Sequence, residues 1–115
     1  MEFCLALPEA TCDIGDDYAA FLVRRKTFAY FLHDHHGDGI VSLCTKVLPG
    51  DNKLLSETSP ERFYLPAYIG ARGWVGMRVD RGPIDWSEIT ELVTDSYRRI
   101  APKGLAARTM LPKAS

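Results

Sequence analysis

Between Asp85 and Ile100 the chain places Ile89, Leu92, Val93, Ser96 and Ile100 three or four residues apart. That repeat matches the turn of an α-helix and predicts a helix with a single apolar stripe. Asp85 and Glu88 stand at the spacing of a capping box, which marks its start. Ala101-Pro102 marks its end, because proline lacks an N–H and disfavours helical backbone at the residue before it. A helix of this length is marginal alone in water. The rest of the chain must therefore supply an apolar surface that covers the stripe.

The remaining patterns point to a sheet. Tyr18–Arg24 and Thr27–Leu32 are rich in aromatic and β-branched residues, with the basic turn Arg24-Arg25-Lys26 between them. Gly39–Lys46 alternates Val41, Leu43 and Thr45 on one face, and Gly37-Asp38-Gly39 supplies the loop glycines of a hairpin. These three strands are expected to form an antiparallel meander. Met1–Leu7 has helical spacing limited by Pro8, and Thr11–Asp17 is polar enough to be expected as a loop. Pro49-Gly50-Asp51 should begin a short helix that buries Leu54 and Leu55. Ser59-Pro60 resembles a second helix start, Phe63–Leu65 a short edge strand before Pro66, Tyr68–Gly73 a loop, and Trp74–Asp80 a further strand. Lys103–Met110 adds a last short helix. The expected order is helix, three strands, helix, two strands, helix. That is an α+β fold of two layers, an antiparallel sheet packed against helices, in one domain spanning 1–115.

Composition fits that reading and excludes several classes. With 46% hydrophobic and 25% charged residues over 115 positions, the chain can bury a core of its own. The longest apolar runs, such as Phe28–Leu32, are far too short to span a bilayer. No basic-then-apolar leader is read at the start, so a cytoplasmic location is expected. Cys4, Cys12 and Cys44 form no C-x-x-C pair and are read as reduced thiols.

Motifs that carry chemistry are few. His33-Asp34-His35-His36-Gly37-Asp38 holds imidazoles and carboxylates, yet it lacks distant partners to complete a coordination shell. It is read as a solvated hairpin loop, and no metal or other cofactor is assigned. The serines lack a nucleophile elbow, and Gly70-Ala71-Arg72-Gly73 lacks the strand-to-helix setting of a phosphate loop. No catalytic residue is assigned, and the chain is read as a non-enzyme.

Charge offers the remaining lead. Net charge is −1, but residues 1–57 hold five Lys/Arg against nine Asp/Glu, and residues 58–115 hold nine against six. Arg98, Arg99 and Lys103 cluster near a helix end, and Arg72 stands beside Trp74. Cations attract phosphate and an indole can stack on a base, so Arg72, Trp74, Arg98, Arg99 and Lys103 are the candidate nucleic-acid contacts.

Several strings together resemble one family. They are Phe63-x-x-Pro66-x-Tyr68-x-Gly70-x-x-Gly73-Trp74-Val75, Asp85-Trp86, Asp95-Ser96-Tyr97-Arg98 and Ala101-Pro102-Lys103. Leu5-Ala6-Leu7-Pro8, Lys26-x-Phe28 and Lys46 before Pro49-Gly50 agree with them. Along nearly its whole length the chain resembles the MmcQ/YjbR family. The resemblance implies a compact α+β fold like that of secretion chaperones, and a double-wing DNA-binding role that rests on structural analogy. DNA is thus one expected partner. A protein-interaction or chaperone-like module is an alternative, as is a small-ligand protein with a pocket near Trp74, bounded by Tyr68, Arg72, Tyr97 and Lys103.

Overall fold

The computed structural model describes residues 6–33, 39–66, 69–80 and 85–109. Within them six strands form one antiparallel sheet: β1 (Ala10–Ile14), β2 (Tyr18–Val23), β3 (Lys26–His33), β4 (Val41–Lys46), β5 (Phe63–Tyr64) and β6 (Trp74–Arg78). Their spatial order is β1-β2-β3-β4-β6-β5. Helix α1 (Asp51–Thr58) links β4 to β5, a short 3-10 turn (Ile69–Arg72) precedes β6, and α2 (Trp86–Ile100) and α3 (Lys103–Arg108) follow it. The α+β class and the two-layer packing expected from the sequence are what the chain adopts. No helix among the described residues is long and apolar enough to cross a membrane.

Helix α2 covers the sheet as its stripe requires. Ile89, Val93 and Tyr97 are at most 1% exposed, and they share a core with Phe28, Leu43, Val75 and Met77. The Asp85 carboxylate caps the helix by accepting from the amides of Ser87 and Glu88 at 3.0 and 3.2 Å. Glu88 pairs with Arg62 across the fold. At the other end Ala101 turns extended ahead of Pro102.

Ser96 makes the joint between the layers. It lies on the apolar stripe yet is fully buried, with its Oγ donating to the Phe28 carbonyl at 2.6 Å and accepting from the Lys46 amide at 2.9 Å. Phe28 is the extra residue of an irregularity in the β2–β3 register, between Phe21↔Ala29 and Leu22↔Thr27. The β3–β4 ladder likewise ends at Ala29↔Thr45. The Ser96 hydroxyl thus occupies the place of the next rung, satisfying two backbone groups that burial would otherwise orphan. The displaced Phe28 ring meets Tyr97 edge-on, with centroids 5.2 Å apart.

On the opposite face of the sheet, Tyr64 crosses β6 at Gly76. A side chain at Gly76 would place its Cβ 2.3 Å from the Tyr64 ring. The bare backbone there lets the phenol reach the buried Ser42 hydroxyl, 2.7 Å away.

Several local expectations are corrected. Residues 11–17, expected as a loop, contain β1, which pairs with β2 from Ala10↔Val23 to Ile14↔Ala19. Four of its five residues are exposed, so no apolar alternation marks it. The meander therefore has four strands. In α1 only Leu55 packs against the core; Leu54 is 57% exposed, and polar Asn52 takes the buried position. Ser59 ends α1 with its amide closing onto Leu55, and the start at Ser59-Pro60 amounts to a single turn, with the Arg62 and Phe63 amides donating to the Ser59 carbonyl before β5. The expected Tyr68–Gly73 loop is in part the 3-10 turn. Trp86 is 61% exposed at the first position of α2. The helix expected at Met1–Leu7 and the loop at His33–Asp38 lie mostly outside the described residues.

Candidate functional site

Four cations from four separate stretches meet at one end of the sheet. Lys46 comes from the end of β4, Lys53 from the first turn of α1, Arg72 from the 3-10 turn and Arg99 from the last turn of α2. They line an open cleft of about 960 Å³ whose apolar walls include Val47, Pro49, Leu65 and Pro66. Among the described residues no aspartate or glutamate lines it.

Local structure explains the convergence. Gly50 adopts φ 92°, a left-handed backbone open to glycine, and lets the chain reverse from β4 into α1. That reversal brings Lys53 to the same cleft as Lys46. Asn52 then fastens α1 to the segment ahead of β6. It is 4% exposed, and its Nδ2 donates to the carbonyls of Gly70 at 2.8 Å and Trp74 at 3.2 Å. Its Oδ1 accepts from the Lys53 amide at 2.9 Å. The Val47 amide donates to the Gly73 carbonyl at 3.0 Å, which ties the far end of the same segment to β4. Arg72 sits between these two fastenings. Ser96 holds the Lys46 backbone from below, and Arg99 leaves α2 one turn later.

The cations differ in how far they are neutralised. Arg99 donates from Nε to Asp95 at 3.0 Å, a helical pair one turn apart. Among the described residues Lys46, Lys53 and Arg72 are in no ion pair. Three cations without an ion-pair partner among the described residues and one oriented guanidinium thus face one concave space. Such a site can hold multiply charged anions, because low-dielectric walls concentrate the field that solvent and salt would otherwise screen.

The residues singled out in the sequence separate. Arg72 and Arg99 lie in the cleft. Arg98 is turned away, its guanidinium donating to the Thr109 hydroxyl at 2.8 Å and the Thr109 carbonyl at 2.7 Å, which ties α2 to the end of α3. It lines a second depression together with Glu88, Glu91 and Asp95. Lys103 is exposed at the start of α3 and lines neither hollow. Trp74 is 7% exposed, and its ring lies 5.4 Å from that of Tyr30, so its faces are committed to packing. Tyr97 is buried on the helix side, donating to the Pro8 carbonyl at 2.6 Å, and shares no pocket with Arg72. Tyr68 lies outside the described residues.

Lys46, Lys53 and Asn52 were not singled out in the sequence. Two lysines flanking Pro49-Gly50 were the available signal, since a tight reversal between them must bring them together. At the β2–β3 hairpin tip Arg24 is also engaged, pairing with Glu9 through two hydrogen bonds of 2.7 and 2.9 Å. No group of three metal-ligating side chains occurs among the described residues, and His35 and His36 lie outside them.

Comparisons with known proteins bear on family and fold. The YjbR family model matches residues 5–99. A solved Deinococcus radiodurans protein with the domain DUF419 superposes with TM-score 0.67 at 23% identity, over 98% of this chain and 79% of that one. A Pseudomonas syringae protein superposes with TM-score 0.68 at 19% identity, over 86% of this chain and 93% of the other. At these identities the likeness shows the shared fold. No curated protein matches.

Proposed function

Because the chain belongs to the YjbR family, whose activity is uncharacterised, its function must be argued from its own side chains, and we propose that it is a non-enzymatic protein that binds phosphate-bearing ligands, nucleic acid foremost. The observation that carries this is the convergence of Lys46, Lys53, Arg72 and Arg99 on a cleft with no carboxylate in its described lining. A buried ion-pair network would have matched these charges internally. Here three of the four have no such partner among the described residues, which suits a ligand that brings the negative charge. The pocket is near Trp74 but does not use its ring; the Trp74 carbonyl helps set its shape.

Salt-titrated binding to single- and double-stranded DNA and RNA tests the proposal. For duplex DNA the log–log slope should be about −0.9 per phosphate contacted, and about −0.7 for single strands. The double variant Lys53→Ala/Arg72→Ala should lose affinity and flatten that slope, whereas Arg98→Ala/Lys103→Ala should leave both near wild type. Absence of binding at low salt, or equal losses in the two variants, would remove the cleft from the account.

A further inference from the structure

We infer that the cleft selects a terminal phosphate, the multiply charged end of a phosphomonoester or oligophosphate, over the singly charged diesters of a nucleic-acid backbone. This rests on the phosphate-binding reading above and narrows it. A diester backbone carries one charge per phosphate along its length, so a surface that tracks it needs cations spread along a path. Among the described residues the hollow along α2 does not continue such a path, because carboxylates stand among its cations. That hollow sets Glu88, Glu91 and Asp95 against Arg98 and Arg108. On the side of α1, Asp51 and Glu57 are exposed. Four of the fourteen lysines and arginines converge instead on the cleft, in a molecule whose net charge is −1.

The shape of the cleft agrees with that distribution. At about 960 Å³ it exceeds what one phosphate fills and falls in the range of small-molecule sites. The cations gather with the apolar walls formed by Pro49, Leu65 and Pro66 beside them. A ligand with a compact charged end and a less polar body meets both parts: phosphate against Lys46, Lys53, Arg72 and Arg99, and the remainder against the prolines and leucine. Two sources share this chemistry, a nucleoside polyphosphate and the phosphorylated end of an oligonucleotide. Asn52 holds the first turn of α1, which carries Lys53, against the Gly70 and Trp74 carbonyls on either side of Arg72.

Four probes separate the outcomes when titrated into the full chain at one ionic strength: a short single strand with a terminal phosphate, the same strand with a terminal hydroxyl, a nucleoside triphosphate, and inorganic triphosphate. The phosphorylated strand or the nucleoside triphosphate should bind at least about ten-fold more tightly than the hydroxyl strand, and inorganic triphosphate should displace it. Lys53→Ala/Arg72→Ala should abolish the difference; both side chains are exposed, and a thermal melt verifies that the fold persists. Preference for the phosphorylated strand identifies a nucleic-acid end, and preference for the nucleoside triphosphate alone identifies a free nucleotide; both support the inference. Equal affinity for the two strands, with no displacement by triphosphate, overturns it while leaving the broader phosphate-binding reading intact. Binding of none of the four probes overturns both.

Discussion

Ser96 shows how one hydroxyl can hold two layers together. It replaces a rung of the β3–β4 ladder, so its removal orphans the Phe28 carbonyl and the Lys46 amide in a site with no access to water. Ser96→Ala should therefore cost about 2–4 kcal/mol, well above an ordinary surface change, as read from the shift in urea unfolding midpoint. Tyr97 makes a prediction in pH. Burial raises its phenol above the ordinary 10.0, with Glu9 adding to the shift and Arg108 and Arg24 opposing it. The unfolded phenol ionises first as pH climbs, so stability from the neutral, buried group is complete below pH 10 and declines as pH rises toward the folded value. Urea midpoints measured upward from pH 9 should fall in wild type and fall less steeply in Tyr97→Phe. That variant should also begin lower, because the hydrogen bond to Pro8 is gone.

Helix α1 is fastened by a polar residue. Asn52 makes three hydrogen bonds from a nearly buried side chain, and two of them reach the segment that carries Arg72. Asn52→Ala should destabilise the fold by about 2 kcal/mol. It should also weaken phosphate binding at temperatures where the variant remains folded, a loss that stability alone would not produce. This element was only half legible in the sequence. Pro49-Gly50-Asp51 announced where it begins and Leu55 packs as expected, but Leu54 is exposed and Asn52 is buried, because apolar pattern cannot reveal an asparagine whose bonds run to distant backbone. β1 was hidden for a related reason: an edge strand exposed on both faces needs no alternation. By contrast α2 was readable from cap to proline, since one stripe facing one core leaves a strict period. Phe63–Tyr64 was readable as an edge because Pro66 excludes a central strand. The cleft joins Lys46, Lys53, Arg72 and Arg99 across more than fifty residues of sequence; the sequence nominates Arg72 and Arg99 for different reasons, and the lysines only through the reversal at Pro49-Gly50.

Across the whole molecule, near-neutral net charge conceals an uneven surface. One end of the sheet gathers four cations, of which Arg99 alone has an ion-pair partner among the described residues, while the exposed side of α2 interleaves Arg98 with Glu88, Glu91 and Asp95. This segregation is the reason the proposed phosphate site is put at the end of β4 and α1 rather than around Arg98 and Lys103. The direct test is a two-dimensional amide NMR titration of the full chain with inorganic pyrophosphate at low ionic strength. Saturable shifts confined to residues 46–53, 70–74 and the last turn of α2 are the predicted result. Shifts centred on Lys103–Arg108, or none at saturating pyrophosphate, would contradict the assignment of the cleft.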